Sequence, residues 1–235
     1  MELERLQKVM ANCGVDSRRN CEEIIKAKRV KVNGVLVIEL GFKVSKKDVI
    51  TVDGKIVEQK INNIYYLLNK PQGYSLRKND TRNIYDIVLD SKSLNPLLKM
   101  SGKDSGALIL TNDGNLKNKF QKSKNFIEFK YEVRIVGQIT QKLINLFKKG
   151  INFNGNIYKL NDLKLIDYDK EHNSSYFSFN IVMSKSDNIL DLFKSINVEV
   201  KKIKRVSIDI VSIDGLVEGA YRELKPHEIK KLYSL

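Results

Sequence analysis

Twice in its first sixty residues the chain runs through an alternating apolar and polar segment straight into a turn. Arg29-Val-Lys-Val-Asn-Gly34 alternates as a half-buried strand does and stops at Asn33-Gly34. Val49-Ile-Thr-Val-Asp-Gly54 repeats the same strand and turn. Before them, Leu3, Leu6, Val9 and Met10 recur at helical spacing, and Gly14 stops that helix. Asp16 or Ser17 can cap a second helix carrying Cys21, Ile24 and Ile25. Two short helices followed by strand-and-turn units therefore make up residues 1–60. A polar stretch from Glu58 to Asn63 leads into Ile64-Tyr-Tyr-Leu-Leu-Asn69, which reads as a buried strand closed by a turn at Pro71 and Gly73.

The chain of 235 residues is long enough for one large unit or two small ones, each with a core. Its net charge of +14 points to a polyanionic partner, nucleic acid first of all. Arg18, Arg19, Lys26, Lys28, Arg29 and Lys31 crowd the second helix and the strand after it. Such a patch can follow an RNA backbone by neutralising phosphates. Cys13 and Cys21 lack the spacing partners of a zinc site, and His172 and His227 lie far along the chain. Reduced thiols in a cytoplasmic protein are the expectation. The charged start, Glu2 to Arg5, is no secretory signal, and no apolar run has the length of a membrane span.

Arg5-Leu-Gln-Lys-Val, Ser17-Arg-Arg19, Ile24-Ile25 and Arg29-Val-Lys-Val-Asn-Gly34 together resemble the S4-type (alpha-L) RNA-binding domain. The rest resembles a pseudouridine synthase domain of the RsuA/RluB type. Lys70-Pro-Gln-Gly73 matches its opening signature, Gly106-Ala-Leu-Ile-Leu-Thr-Asn-Asp-Gly114 its active-site segment, and Lys130-Tyr-Glu-Val133 its central strand. Glu218-Gly-Ala-Tyr-Arg-Glu-Leu224 with Glu228 matches its last motif. Between these, Thr81 to Leu89 corresponds to a segment leading into a helix, and Asp113 is a candidate cap for the helix after Gly114. The resemblance spans about the full length. It implies an α+β protein: an S4-type domain over 1–60, then over 63–235 a mixed, mostly antiparallel sheet flanked by helices. It also implies an RNA partner, ribosomal above all, acting on a monomer without a cofactor.

The active-site segment departs from the family where the chemistry sits. The family pattern is P-x-G-R-L-D, two spacers, Thr or Ser, a spacer, then G-L-L-L-L-T-N-D-G. Counted without gaps, its catalytic Asp falls on Ser101, and its Gly, Arg and Leu on Leu98, Lys99 and Met100. In the family that Asp acts on the ribose side of the uridine, whose base detaches, rotates and rejoins through carbon. The step needs a carboxylate, and Ser101 has none. Asp104 falls at the Thr/Ser position and could replace it only in a rebuilt loop. The family's late basic motif falls on Ser184-Lys-Ser-Asp-Asn-Ile-Leu-Asp-Leu192, where Lys185 alone keeps its charge. Tyr131 stands where the family stacks a Tyr on the target base, though a core aromatic is an equal reading. The run Lys201, Lys202, Lys204 and Arg205 suits an RNA-facing strand or a solvated edge. The sequence thus favours a relative that binds structured RNA through Arg18, Arg19, Lys26, Lys28, Arg29, Lys31, Tyr131 and Lys185 with impaired or absent catalysis, as a ribosome assembly or ribosome-associated factor. Its rival is an active uridine isomerase using Asp104.

Overall fold

The computed structural model describes residues 3–58, 63–88, 93–123 and 125–235. They fall into two compact units. The first holds residues 1–64 with two short pieces, 89–95 and 111–114, and the second holds the remainder. The polar Glu58–Asn63 stretch lies largely outside the described residues.

In the first unit, strand β1 (Glu4–Arg5) precedes helices α1 (Leu6–Asn12) and α2 (Arg18–Lys26). Leu3 is left outside α1 and 56% exposed, because Glu4 and Arg5 pair with Val44 and Lys43 of β4 (Lys43–Val44) instead of extending the helix. The Ser17 hydroxyl caps α2 by accepting from the Asn20 N–H at 3.2 Å. The sheet then runs in the order β3 (Val35–Leu36), β2 (Val30–Val32), β5 (Ile50–Val52), β6 (Lys55–Ile56), all antiparallel. Asn33 and Gly34 have φ of 51° and 83°, and Asp53 and Gly54 have 49° and 78°. Two successive residues at positive φ form the hairpin turn whose twist matches the strands. Leu6, Met10, Cys21, Ile25, Val30 and Ile50 close the core of this unit.

The second unit is built on one large sheet in the order β13 (Asn161–Asp169), β14 (Ser174–Ser184), β10 (Phe126–Val136), β15 (Val200–Ile208), β9 (Ser105–Thr111), β7 (Tyr65–Lys70), β17 (Tyr221–Glu223). Short strands β8 (Asn95–Pro96) and β16 (Val211–Ser212) pair with β9 and β15. The β15–β9 pair is parallel, whereas β13–β14, β14–β10, β10–β15 and β7–β17 are antiparallel. Along β10 the residues Ile127, Phe129, Tyr131, Val133 and Ile135 are buried, with more exposed residues between them, as period two dictates. Strand β9 is buried at every position, as befits an interior strand in parallel contact.

Helices α3 (Gly114–Lys122), α4 (Gln141–Lys149), α5 (Ile189–Ser195) and α6 (Pro226–Ser234) and the hairpin β11 (Ile151–Phe153)–β12 (Asn156–Tyr158) complete the unit. Thr140 caps α4 and Asn188 caps α5 through their side chains. Thr81–Val88 contains only a 3₁₀ turn, Ile84–Asp86, and Leu89 lies outside the described residues. The architecture is the expected α+β one. In the Lys201–Arg205 run, Lys201 and Lys202 are exposed, whereas Lys204 and Arg205 pair with Ser105 and Gly106 of β9 and Arg205 is buried, so the solvated-edge reading fails for Arg205 alone.

Candidate active site

Strand β15 meets β9 in parallel at the pair Arg205–Gly106. Gly106 has φ 102°, and a Cβ there would overlap the Arg205 carbonyl, so only glycine permits this approach. On its other side Arg205 lies directly opposite Tyr131 of β10. The Arg205 side chain is 5% exposed, and its Nε donates to the Ala107 carbonyl at 2.8 Å. Its Nη2 is buried with no hydrogen-bond partner. The Tyr131 ring packs on Phe129 and Phe179, with centroids 5.9 and 6.0 Å away, and its hydroxyl lies beside the Arg205 guanidinium.

Lys70, the last residue of β7, has no exposed surface. Its Nζ donates to the carbonyls of Asp104 at 2.7 Å, Pro71 at 3.0 Å and Gly102 at 3.3 Å. The Gly73 N–H adds a second bond to the Gly102 carbonyl at 2.8 Å. Lys70 therefore pins the loop before β9 from beneath. Within that loop the Asp104 N–H donates to the Ser101 carbonyl at 3.2 Å, and the Asp104 carboxylate accepts from the Ser101 N–H at 3.2 Å. The loop is one closed turn in which Ser101 is exposed and Asp104 is half-buried.

The electrostatics join these residues into one cluster. Burial lifts the Asp104 carboxyl above the usual carboxylate range, while the Ser101 N–H, Lys70 and Arg205 oppose the rise. Burial brings the Lys70 ammonium down to about 8, with Asp104 resisting and Arg205 assisting. Burial also lowers Arg205, countered by Tyr131 and Asp104, and raises the Tyr131 hydroxyl against the pull of Arg205. A carboxylate, a phenol and two buried cations thus share one site, with a vacant N–H on one of the cations.

The other sequence-derived residues fall elsewhere. Arg18, Arg19, Lys26, Lys28, Arg29 and Lys31 are all exposed on the first unit. Lys26 pairs with Glu23 at 2.8 Å and Arg29 pairs with Asp53, which leaves Arg18, Arg19, Lys28 and Lys31 without a recorded ion pair among the described residues. Lys185 turns inward: its Nζ donates to the Phe120 carbonyl and to Ser123 Oγ and lies 4.7 Å from the Phe120 ring centroid. Asp187 accepts from the Tyr158 hydroxyl at 2.5 Å and from Asn154 Nδ2 at 2.9 Å, so the turn after β14 is tied to the β11–β12 hairpin. The sequence gives Lys70 only as part of a turn motif and Arg205 only as one member of a basic run. The available signals were a lysine ending the apolar run Tyr65–Asn69, and an arginine one step before Val206 in an alternating strand.

Comparison with known proteins agrees with this architecture. The S4 domain model matches residues 4–50. The ribosomal large subunit pseudouridine synthase B of Bacillus subtilis (strain 168) is 36% identical over 238 residues, which cover 99% of this chain and 97% of that protein. An uncharacterized RNA pseudouridine synthase of Aquifex aeolicus is 30% identical over 97% of this chain and 93% of its own length. A crystal structure of a pseudouridylate synthase superposes with a TM-score of 0.57 at 24% identity, covering 97% of this chain and 99% of that one, which shows the shared fold. The fold is that of a pseudouridine synthase joined to an S4 RNA-binding domain. More specifically, the chain belongs to the RsuA/RluB-like RNA pseudouridine synthase family and carries its S4 RNA-binding domain at the N-terminal end. Among the described residues no helix is long and apolar enough to cross a membrane.

Proposed function

We propose that the protein acts as a cytoplasmic monomer that binds ribosomal RNA and isomerises a uridine in it to pseudouridine, with Asp104 as the reacting carboxylate. One observation carries this reading: Asp104 is half-buried and acts electrostatically on both Tyr131 and Arg205, whereas Ser101 is exposed. The shift of three residues is physically small. The turn closed by the Asp104 N–H on the Ser101 carbonyl brings the two residues within about 7 Å of each other. A carboxylate moved from position 101 to 104 can therefore reach the same space.

In this reading Asp104 works on the ribose side of the uridine, as nucleophile or as proton acceptor, and either role requires its ionised form. Lys70 and Arg205 favour that form against burial. Lys70 also sets the height of the loop through the Gly102 and Asp104 carbonyls. Tyr131 places an aromatic wall with a hydroxyl at the same spot. On the first unit, Arg18, Arg19, Lys28 and Lys31 supply the phosphate-binding charge.

A second reading keeps RNA binding and drops the chemistry, with a role in ribosome assembly. Its support is Asp187, which stands where the family carries a base and is held by Tyr158 and Asn154. Tritium release from C5-labelled uridine in transcribed ribosomal RNA separates the two. Release by the wild type and by Ser101→Ala, but not by Asp104→Ala, is the expected result. No release by the wild type, or full release by Asp104→Ala, removes Asp104 as the reacting group.

A further inference from the structure

Arg205 has a donor with nothing to donate to. Its Nε is fixed on Ala107, its guanidinium is bonded to the Tyr131 hydroxyl and lies 6.0 Å from the Phe129 ring centroid, its side chain is 5% exposed, and its Nη2 is buried without a partner within the field of Asp104. Buried N–H groups are normally satisfied, and a vacant one at a reaction site marks the place of a missing acceptor. We propose that Nη2 of Arg205 donates to a carbonyl oxygen of the target uracil and holds the base while it is detached and turned. The assignment rests on the isomerase reading above.

The chemistry calls for such a donor. When the C1′–N1 bond breaks, its electron pair stays with the base, and negative charge spreads over N1 and the two carbonyl oxygens. Rejoining forms the C1′–C5 bond, C5 gives up its proton, and N1 gains one, so the product is an isomer and no co-reactant is consumed. A guanidinium remains charged throughout. Placed in an interior strand and already desolvated, it stabilises developing charge without reorganising. A backbone phosphate, bulkier and strongly hydrated, does not suit a guanidinium this deeply buried.

The test uses ribosomal RNA fragments whose target uridine is unmodified, 2-thiouridine or 4-thiouridine, and a further fragment with a phosphorothioate 5′ to the target. Single-turnover rates are compared for the wild type and Arg205→Lys, with thermal melting as a check on folding. Sulfur is a poor acceptor, so one thiouridine substrate should slow the wild type by about tenfold. Arg205→Lys should slow the unmodified substrate about a hundredfold and erase that thio effect. Thio effects of equal size in both proteins, or a variant-sensitive effect on the phosphorothioate alone, would overturn the assignment. If Arg205→Lys does not fold, the wild type still decides, because unchanged rates on both thiouridines exclude a bonded carbonyl. Failure to modify unmodified RNA brings down the isomerase reading and this assignment together. Normal turnover without a thio effect brings down this assignment alone.

Discussion

Replacing Lys70 with Met should flatten one limb of the protein's stability against pH. Lys70 has no exposed surface, and its ammonium is brought from 10.5 to about 8 by burial. A lysine shifted that far makes the folded state about 3 kcal/mol less stable at neutral pH than at high pH. Below pH 8 both states hold the proton. Between about 8 and 10.5 the unfolded chain holds a proton that the folded protein has shed, so stability rises with pH, and it is lost again as pH falls through 8. Met fills nearly the same volume and cannot titrate. At neutral pH, removing the charge relieves about 3 kcal/mol, yet it leaves the Asp104 and Pro71 carbonyls without a donor and the Gly102 carbonyl with Gly73 alone, at about 1 kcal/mol or more for each lost bond. These nearly cancel, so the pH slope is a sharper quantity than stability at one pH. Urea unfolding of both proteins from about pH 7 to 10.5 should show wild-type stability gaining about 3 kcal/mol relative to Lys70→Met, which also controls for tyrosines titrating in that range. Parallel curves would refute the reasoning and place Lys70 in contact with water.

Three further outcomes are expected. Arg18→Ala with Arg19→Ala should reduce the slope of log affinity against log salt for structured RNA by about 2, without changing the melting temperature. Gly106→Ala, at φ 102° and against the Arg205 carbonyl, should cost about 3 kcal/mol or more in unfolding free energy by prying β15 from β9. Glu228→Gln should cost about 3 kcal/mol, because both Arg222 terminal nitrogens bond the carboxylate at 2.8 Å and the Lys225 N–H bonds it at 2.7 Å. Burial alone would lift the Glu228 carboxyl, but Arg222 and Lys225 hold it below its usual value. Its stabilisation is therefore present above pH 4.5 and is lost as pH falls through that lower folded value, a loss that acid titration of the variant should lack.

Much of the fold was legible because it depends on local pattern. Asn33-Gly34 and Asp53-Gly54 announce turns that need two positive φ angles, and Ser17 offers the cap that α2 uses. For Tyr131 the sequence leaves a core place and a base-stacking place open, and the alternating burial along Phe126–Val136 puts it on the buried face. The site was less legible because it is assembled by strand order. Nothing near Arg205 in the sequence says that β15 lies between β10 and β9, and that placement alone turns one member of a basic run into a buried residue beside Tyr131. Lys70 reads as part of a turn motif until the loop of residues 101–104, some thirty positions later, closes on it. Gap-free counting sets Ser101 against the family Asp, but it cannot show that a closed turn brings Asp104 back beside Ser101. Lys185 keeps its charge in the sequence and directs it inward at Phe120 and Ser123.

The most direct test of the central claim is the single-turnover rate of Asp104→Asn on transcribed ribosomal RNA, with RNA affinity measured in parallel. Asn keeps the shape and can still accept from the Ser101 N–H, but it can neither attack nor accept a proton as a carboxylate does. A fall of about a thousandfold or more with unchanged affinity is the predicted result. A rate equal to that of the wild type would contradict the account and return the search for the carboxylate to another part of the chain.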